Sequence, residues 1–191
     1  METSISLFHV FLFIHLISMI IGFGAVIVID SLGLLWILKK IKLQFVQDVA
    51  GLTQRLIWLG WSGLVLSGTG LLVLKGFIDN LTAIKIFFVA MLGLNGLFLH
   101  TIKKSFECVT DETNIPAILK FRMTLASAIS QMGWWGALII GFTHRQISSF
   151  IPWPASPWPY IIGIFLGISV IALVGEMLLR PKTKNVIETS Q

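Results

Sequence analysis

The sequence predicts an all-α integral membrane protein, a bundle of five transmembrane helices. Of its 191 residues, 55% are hydrophobic and 12% are charged, whereas soluble globular proteins carry roughly a quarter charged residues. The mean hydropathy is +0.89. The apolar residues form runs that reach the roughly 17 to 25 residues a transmembrane helix needs. These runs lie at 6–37, 56–74, 82–102, 122–143 and 160–179, and together they predict a single transmembrane domain over residues 1–191.

The basic residues predict how this bundle is oriented. Most of them lie in the first connection, the third connection and the tail: Lys39, Lys40, Lys42 and Arg55; Lys103, Lys104, Lys120 and Arg122; Arg180, Lys182 and Lys184. Because cytoplasmic loops carry the excess of lysine and arginine, we expect the N-terminus outside and the C-terminus in the cytoplasm. The formal net charge of +5 therefore reflects orientation in the membrane and not nucleic-acid binding.

The first run, residues 8–33, reads FHVFLFIHLISMIIGFGAVIVIDSLG and contains His9, His15 and Asp30. It lacks a basic start and is far longer than the roughly 7 to 15 apolar residues of a signal peptide, so we expect a retained span. A polar group in hydrocarbon costs kilocalories unless a partner satisfies it. These side chains are therefore expected to face a site or water. The run also exceeds the bilayer core in length, so the depth of His15 stays open.

Two segments outside the spans have recognisable patterns. Residues 39–56, KKIKLQFVQDVAGLTQRL, mix basic and apolar residues at helical spacing, which predicts an amphipathic connector along the cytoplasmic surface after helix 1. Residues 148–161, SSFIPWPASPWPYI, cannot be helical throughout because proline removes donors and breaks turns. Trp153, Trp158 and Tyr160 in this segment are typical of an outer interfacial belt.

Three patterns within the spans predict contacts between helices. Small residues form a stripe on the second helix at Gly60, Gly63, Ser67 and Gly70, and such a stripe permits close helix packing. Asn95, between Gly93 and Gly96, is expected to make an interhelical hydrogen bond. Glu176 and Arg180 have the i,i+4 spacing of an ion pair near the inner end of the fifth helix.

The histidines are the first candidates for chemistry, because a neutral imidazole binds haem iron, copper or zinc. With the topology above, His9, His15 and His144 fall in the outer half, whereas His100 lies at the cytoplasmic end. At ~100° per residue, His15 shares one sector of its helix with Gly22, which would let another helix or a flat ligand approach closely. His15 is either a ligand or a satisfied polar residue at a helix interface.

Two segments carry a resemblance to known families. FIHLISMIIGFGA in the first helix and AIKIFFVAMLGLNGLFLH in the third resemble the CopD-type membrane domain and, more distantly, the HemJ-type protoporphyrinogen oxidase. The resemblance covers about half the chain. It implies that His15 corresponds to the first-helix histidine, which in the HemJ type is associated with haem b, and Lys85 to the third-helix lysine. The chain has no Asn-Glu-x-Pro-like segment near its end, so protoporphyrinogen oxidation itself is not predicted.

The leading hypothesis from the sequence is a haem b-binding membrane protein that transfers electrons near the outer face of the membrane. His15 and His144 would be the axial ligands to the metal, Lys85 and Arg145 would meet the haem propionates, and Gly22 would allow close approach. Quinol or an external electron acceptor would be the redox partner. Whether the protein is an enzyme, a membrane oxidoreductase, stays open. We expect a multi-pass protein of the cell membrane, the bacterial inner membrane in particular.

Two other hypotheses stay open. A copper or small-solute permease would use His9, His15, Met19 and His144 as ligands near the outer mouth. A structural or assembly subunit of a larger membrane complex would use its glycine stripes as helix contacts and bind nothing through its histidines. The absence of P-loop, GxSxG and HExxH motifs from the sequence argues against nucleotide binding and hydrolysis.

Overall fold

A computed structural model describes residues 2–107, 115–146 and 155–180 of the protein, and these residues form five α-helices. The helices are α1 (Glu2–Ile37), α2 (Leu43–Lys75), α3 (Asn80–Glu107), α4 (Ala117–Gln146) and α5 (Trp158–Leu179). Each is long and apolar enough to cross a membrane. The prediction of an all-α fold with five helices long and apolar enough to cross a membrane is therefore confirmed, and these helices indicate a multi-pass membrane protein.

The first helix ends in a tight reversal made by the backbone. The N–H of Lys40 donates to the carbonyl of Leu35 at 2.9 Å, and the N–H of Lys39 donates to that of Trp36 at 2.8 Å. This is the Schellman pairing that closes many helix C-termini. Lys39 takes the left-handed conformation, with φ of 57°, that glycine usually holds in this motif. The reversal directs α2 back along α1.

The amphipathic connector predicted after helix 1 is not a separate element. From Leu43 onward the segment is the beginning of α2, which continues without interruption to Lys75. The physical reason is that part of its apolar side is covered by protein: Leu43 is buried in one cluster with Ile102 of α3 and Leu119 of α4, whereas Phe45 and Leu52 stay exposed. A surface connector would instead bury that side in the lipid headgroup region.

The turn between α2 and α3 is short and stabilised by polar contacts. Gly76 ends α2 in the left-handed conformation, with φ of 76°, and donates its N–H to Leu72 O at 3.0 Å. Asp79 caps α3, because its Oδ1 accepts the N–H of Thr82 at 2.7 Å. The ammonium of Lys75 donates to Asp79 Oδ2 at 2.6 Å and to Thr82 Oγ1 at 3.1 Å. This turn therefore ties the end of α2 to the start of α3.

Helices α1 and α2 form a closely packed antiparallel pair through small residues. A Cβ at Gly60 would lie 2.5 Å from both Cα and N of Gly22 and 2.6 Å from the carbonyl oxygen of Ser18. A Cβ at Gly63 would collide with the Ser18 side chain. The small-residue stripe predicted on the second helix is thus confirmed as a packing surface.

Helices α3 and α4 form a second pair of a different kind. Two glycines of α4 allow large side chains of α3 to approach closely. A Cβ added at Gly133 would lie 2.7 Å from the Leu92 side chain, and a Cβ added at Gly136 would lie 2.7 Å from the Phe88 ring. Asn95 Nδ2 donates to the carbonyl of Ala126 at 2.8 Å, which confirms the predicted interhelical hydrogen bond.

Large aromatic side chains separate the two pairs along their middle. Trp61 of α2 lies against Gly93 and donates its indole N–H to Val89 O at 2.9 Å. Trp134 of α4, 1% exposed, stacks on Phe23 of α1 with ring centroids 5.9 Å apart. An indole ring holds two helices farther apart than a glycine contact does. The two helix pairs are therefore in contact at the centre of the bundle through aromatic side chains.

Helix α5 lies at the periphery and packs on α4 and α3. Its polar contact is a fork in which Arg122 of α4 donates from Nε and Nη2 to the two oxygens of Glu176 at 2.6 and 2.9 Å. Arg180 was the partner predicted for Glu176, and its Nε lies 3.9 Å from Glu176 Oε2. Trp158 and Tyr160 are exposed in the first turn of α5, while Trp153 lies outside the described residues.

Candidate functional site

A half-open cavity of about 780 Å³ lies between the two helix pairs, at the end of the bundle where α2 turns into α3. Its volume is within the range of about 300 to 1,000 Å³ that is usual for small-molecule sites. The walls are mainly apolar and include Leu64, Leu72, Ile86 and Val89. The polar groups at its surface include His15, Lys75, Thr82 and Lys85.

The part of α2 beside the cavity contains several small residues. Between Ser67 and Gly70 the sequence is SGTG, whereas one helical turn and a half earlier Trp61 bridges to α3. A Cβ at Gly68 would meet only the His15 ring, at 3.4 Å from Cε1. On the opposite wall, Gly141 of α4 also lines the space.

His15 reaches this cavity from α1 and is held by α2. Its Nδ1 lies 3.0 Å from Ser67 Oγ, and the Ser67 hydroxyl donates to the carbonyl of Gly63 at 2.5 Å. The antiparallel register explains the pairing: His15 is seven residues before Gly22, and Ser67 is seven residues after Gly60. The contact between the two glycines is thus repeated two turns along as a contact between an imidazole and a hydroxyl.

Lys85 contributes a positive charge to the same cavity. It is half-buried on α3, and its ammonium is close enough to His15 to interact with it electrostatically. A Cβ at Gly141 would lie 3.6 Å from Lys85 Nζ. The Lys75 ammonium is bound by Asp79, and the Asp79 carboxylate also acts electrostatically on Lys85, although no hydrogen bond joins the two within the part of the chain that the structure describes. The cavity therefore combines apolar walls, one imidazole and one ammonium that lacks a hydrogen-bonded counterion.

Gly22, proposed from the sequence as a place where a ligand approaches, contacts protein instead. A Cβ at this position would lie 2.5 Å from Cη2 of Trp134 and 3.3 Å from Cα of Gly60. The close approach expected at Gly22 is therefore that of α2, with an indole ring beside it. Gly22 supports the cavity through the α1–α2 interface and does not line it.

The remaining predicted residues are distributed differently. His144 and Arg145 belong to the last turn of α4, about one turn after Gly141, and their side chains lie outside the described residues. Their roles stay predictions. His9 is exposed and its Nδ1 bonds to the carbonyl of Ile5 at 2.7 Å. His100 is at the other end of the bundle, where its Nδ1 lies 3.4 Å from Gln54 Nε2.

Two members of the ligand set predicted for a copper permease, His9 and Met19, are not among the residues that line the cavity. Met19 packs against the central cluster around Trp134, and His9 is exposed and outside the cavity lining. Among the side chains that the structure describes, in residues 5–103, 115–143 and 155–180, no three histidine, cysteine, aspartate or glutamate residues are close enough to hold a metal ion.

Asp30 is satisfied away from the cavity. Gln131 Nε2 of α4 donates to Asp30 Oδ2 at 2.6 Å. Asp30 lies fifteen residues after His15, or about 22 Å along the helix at ~1.5 Å per residue. The two polar groups of α1 thus bind different helices, His15 to α2 and Asp30 to α4.

Ser67 is the residue at this site whose part sequence reasoning missed. The small-residue stripe on the second helix included it, but only as a packing position. The sequence signal for its role is a hydroxyl side chain in a segment that also contains Gly63, Gly68 and Gly70. Its partner, His15, is known only once the register of α1 against α2 is known.

Comparison with known proteins gives no relative to set beside this site. The sequence matches no protein-family model, and neither a curated protein nor a solved structure is significantly similar to it. The resemblance to the CopD and HemJ types therefore depends on the two quoted segments alone.

Proposed function

We propose that the protein binds haem b in the cavity between the two helix pairs, with His15 as an axial ligand. The observation that carries the proposal is that an imidazole and an ammonium without a hydrogen-bonded carboxylate face one apolar space. Haem b needs these three things: an apolar slot for the macrocycle, an imidazole nitrogen for the iron, and cations for its propionates. The volume of about 780 Å³ is in the range of small-molecule and cofactor sites.

Lys85 is the proposed partner of the propionates. Lys75 and Thr82 lie at the same end of the cavity and supply further donors. Arg145, in the last turn of α4, is proposed as a third cation. Charge-assisted hydrogen bonds of this kind are about twice as strong as those between neutral groups.

His144 is the proposed second axial ligand. It follows Gly141, which lines the cavity, by about one helical turn. Two imidazole ligands leave no open position for dioxygen, so haem b held in this way supplies one-electron transfer rather than oxygen chemistry. The proposed partners are quinol and an external electron acceptor.

The proposed orientation places the N-terminus outside and the C-terminus in the cytoplasm of a bacterial cell membrane. It rests on the basic residues of the first and third connections and of the tail. The cavity is then in the outer half of the bundle. The apolar faces of all five candidate spans are consistent with contact with the lipid bilayer.

The proposal is tested by optical spectra of the protein purified in mild detergent from cells supplied with a haem precursor. We expect a Soret band and, after reduction, the sharp α-band of a six-coordinate b-type haem. His15→Ala removes the iron ligand and should abolish the bands. His9→Ala is the matched control, because His9 is an exposed imidazole on the same helix that does not line the cavity.

Further variants separate the parts of the proposal. His144→Ala should convert the spectrum to a five-coordinate form if it supplies the second ligand. Lys85→Met should weaken haem retention, whereas Lys120→Met, at an exposed position, should leave it unchanged. A colourless wild type after haem supplementation, or His15→Ala protein with the spectrum of the wild type, would overturn the proposed function.

A further inference from the structure

A two-step chain of hydrogen bonds joins α1 to the backbone of α2 beside the cavity. It runs from His15 Nδ1 to Ser67 Oγ at 3.0 Å, and from the Ser67 hydroxyl to the carbonyl oxygen of Gly63 at 2.5 Å. Ser67 is 2% exposed, so water does not compete with this arrangement. The chain ends at an atom that can only accept.

The lengths of the two contacts favour one tautomer of His15. A serine hydroxyl has one proton to donate, and the Gly63 carbonyl is its nearer acceptor, at 2.5 Å against 3.0 Å for His15 Nδ1. When that proton goes to the carbonyl, Ser67 Oγ accepts the proton of the His15 ring, which places the N–H on Nδ1. A neutral imidazole has a single N–H, so Nε2 retains its lone pair.

The surroundings of the ring agree with this assignment. The Leu64 carbonyl, in the same turn of α2 as Gly63, lies 3.5 Å from Ser67 Oγ and is a second acceptor for the serine hydroxyl. Gly68 leaves space beside Cε1, the ring atom between the two nitrogens, because a Cβ added at Gly68 would lie 3.4 Å from that atom. The Nδ1 side of the ring thus faces Ser67, and the ring borders the cavity.

We propose that Ser67 is a positioning residue that holds His15 in its Nδ1–H tautomer and keeps Nε2 free as the ligand atom of the cavity. This deepens the proposed function and rests on it only for the identity of the iron that Nε2 binds. A hydrogen bond from the second ring nitrogen fixes the orientation of a ligating histidine and raises its basicity. Ser67 performs both tasks from the neighbouring helix.

The direct test uses the ligand-free protein. Nitrogen-15 NMR of protein labelled at its four histidines distinguishes the two neutral tautomers, and His15→Ala identifies the resonances of His15. The wild type should show a proton on Nδ1 and a bare Nε2. Ser67→Ala should shift His15 toward the Nε2–H tautomer, and Ser67→Thr, which keeps a hydroxyl, should restore the wild-type signals.

The second readout is haem affinity measured by titration with haemin. Loss of such a partner typically costs 10- to 100-fold in metal affinity, so we expect a weakening of about that size in Ser67→Ala and recovery in Ser67→Thr. Ser169→Ala is the matched control. Its hydroxyl also donates to the carbonyl four residues earlier, Phe165 at 2.8 Å, but on the exposed surface of α5.

The two readouts distinguish failure of this proposal from failure of the proposed function. A wild-type His15 with its proton on Nε2 overturns the role of Ser67, even where Ser67→Ala does not fold. Unchanged tautomer and unchanged haem affinity in a folded Ser67→Ala protein do the same. A protein that binds no haem but shows the Ser67-dependent Nδ1–H tautomer overturns the proposed function and supports the tautomer assignment.

Discussion

Replacing Gly60 by alanine should force α1 and α2 apart and lower the free energy of unfolding. The added methyl carbon would lie 2.5 Å from Cα and N of Gly22 and 2.6 Å from Ser18 O. All three are backbone atoms, which cannot rotate away as a side chain would. Carbon atoms at rest are about 3.5 to 4.0 Å apart, so the helices must separate locally by about 1 to 1.5 Å.

The size of the effect follows from two opposing contributions. Overpacking of this kind costs about 1 to 3 kcal/mol, and the change from glycine to alanine in a helix returns about 0.5 to 1 kcal/mol. Gly51→Ala on the same helix isolates the second contribution, because a Cβ there would meet nothing within 4 Å. We expect Gly60→Ala to be less stable than Gly51→Ala by about 1 to 3 kcal/mol.

The assay is reversible unfolding in mixed micelles as the fraction of denaturing detergent is raised, followed by circular dichroism. A Gly60→Ala protein as stable as Gly51→Ala would refute the antiparallel contact between Gly22 and Gly60. The same contact sets the register that brings His15 to Ser67. Haem affinity should therefore fall in Gly60→Ala and stay at the wild-type level in Gly51→Ala.

Two further predictions concern the polar contacts between helices. Asp30→Leu should destabilise the protein by about 1 to 3 kcal/mol, because it leaves the partly buried amide donor of Gln131 without its acceptor, while Asp30→Asn keeps an oxygen there and should cost less. Equal unfolding midpoints for the two variants would contradict this. A double-mutant cycle of Arg122→Ala and Glu176→Gln should give a coupling of about 1 kcal/mol in the same assay, since the pair is partly exposed. A coupling indistinguishable from zero would show that the fork does not hold α5 on the bundle.

The helices and several of their contacts could be predicted from the sequence because they depend on local patterns. Apolar runs of spanning length gave five helices, and the stripe that includes Gly60 gave a packing surface. Asn95 was predicted to bond across helices because an amide in hydrocarbon needs a partner, and the partner is the Ala126 carbonyl.

The sequence could not predict the register of one helix against another or which helix packs against each helix face. The beginning of α2 has an amphipathic pattern, but α3 and α4 cover part of its apolar side. Glu176 has Arg180 at helical spacing, yet Arg122 reaches it from another helix with better geometry. The same applies to Gly22, where a small residue permits close approach but does not determine what approaches.

The candidate site was predicted in part. His15 and Lys85 were both predicted to contact one haem, and the structure places both at one cavity. Their proximity depends on how α1 packs against α3 through the rest of the bundle. No spacing within a single helix encodes that arrangement.

The most direct test of the central claim is the electron paramagnetic resonance spectrum of the oxidised, haem-supplied protein, recorded for wild type and His15→Ala side by side. We predict the signal of low-spin ferric haem with imidazole ligation in the wild type, and its loss or replacement by a high-spin signal in the variant. A wild type without any ferric haem signal, or identical low-spin signals from both proteins, would contradict haem ligation by His15.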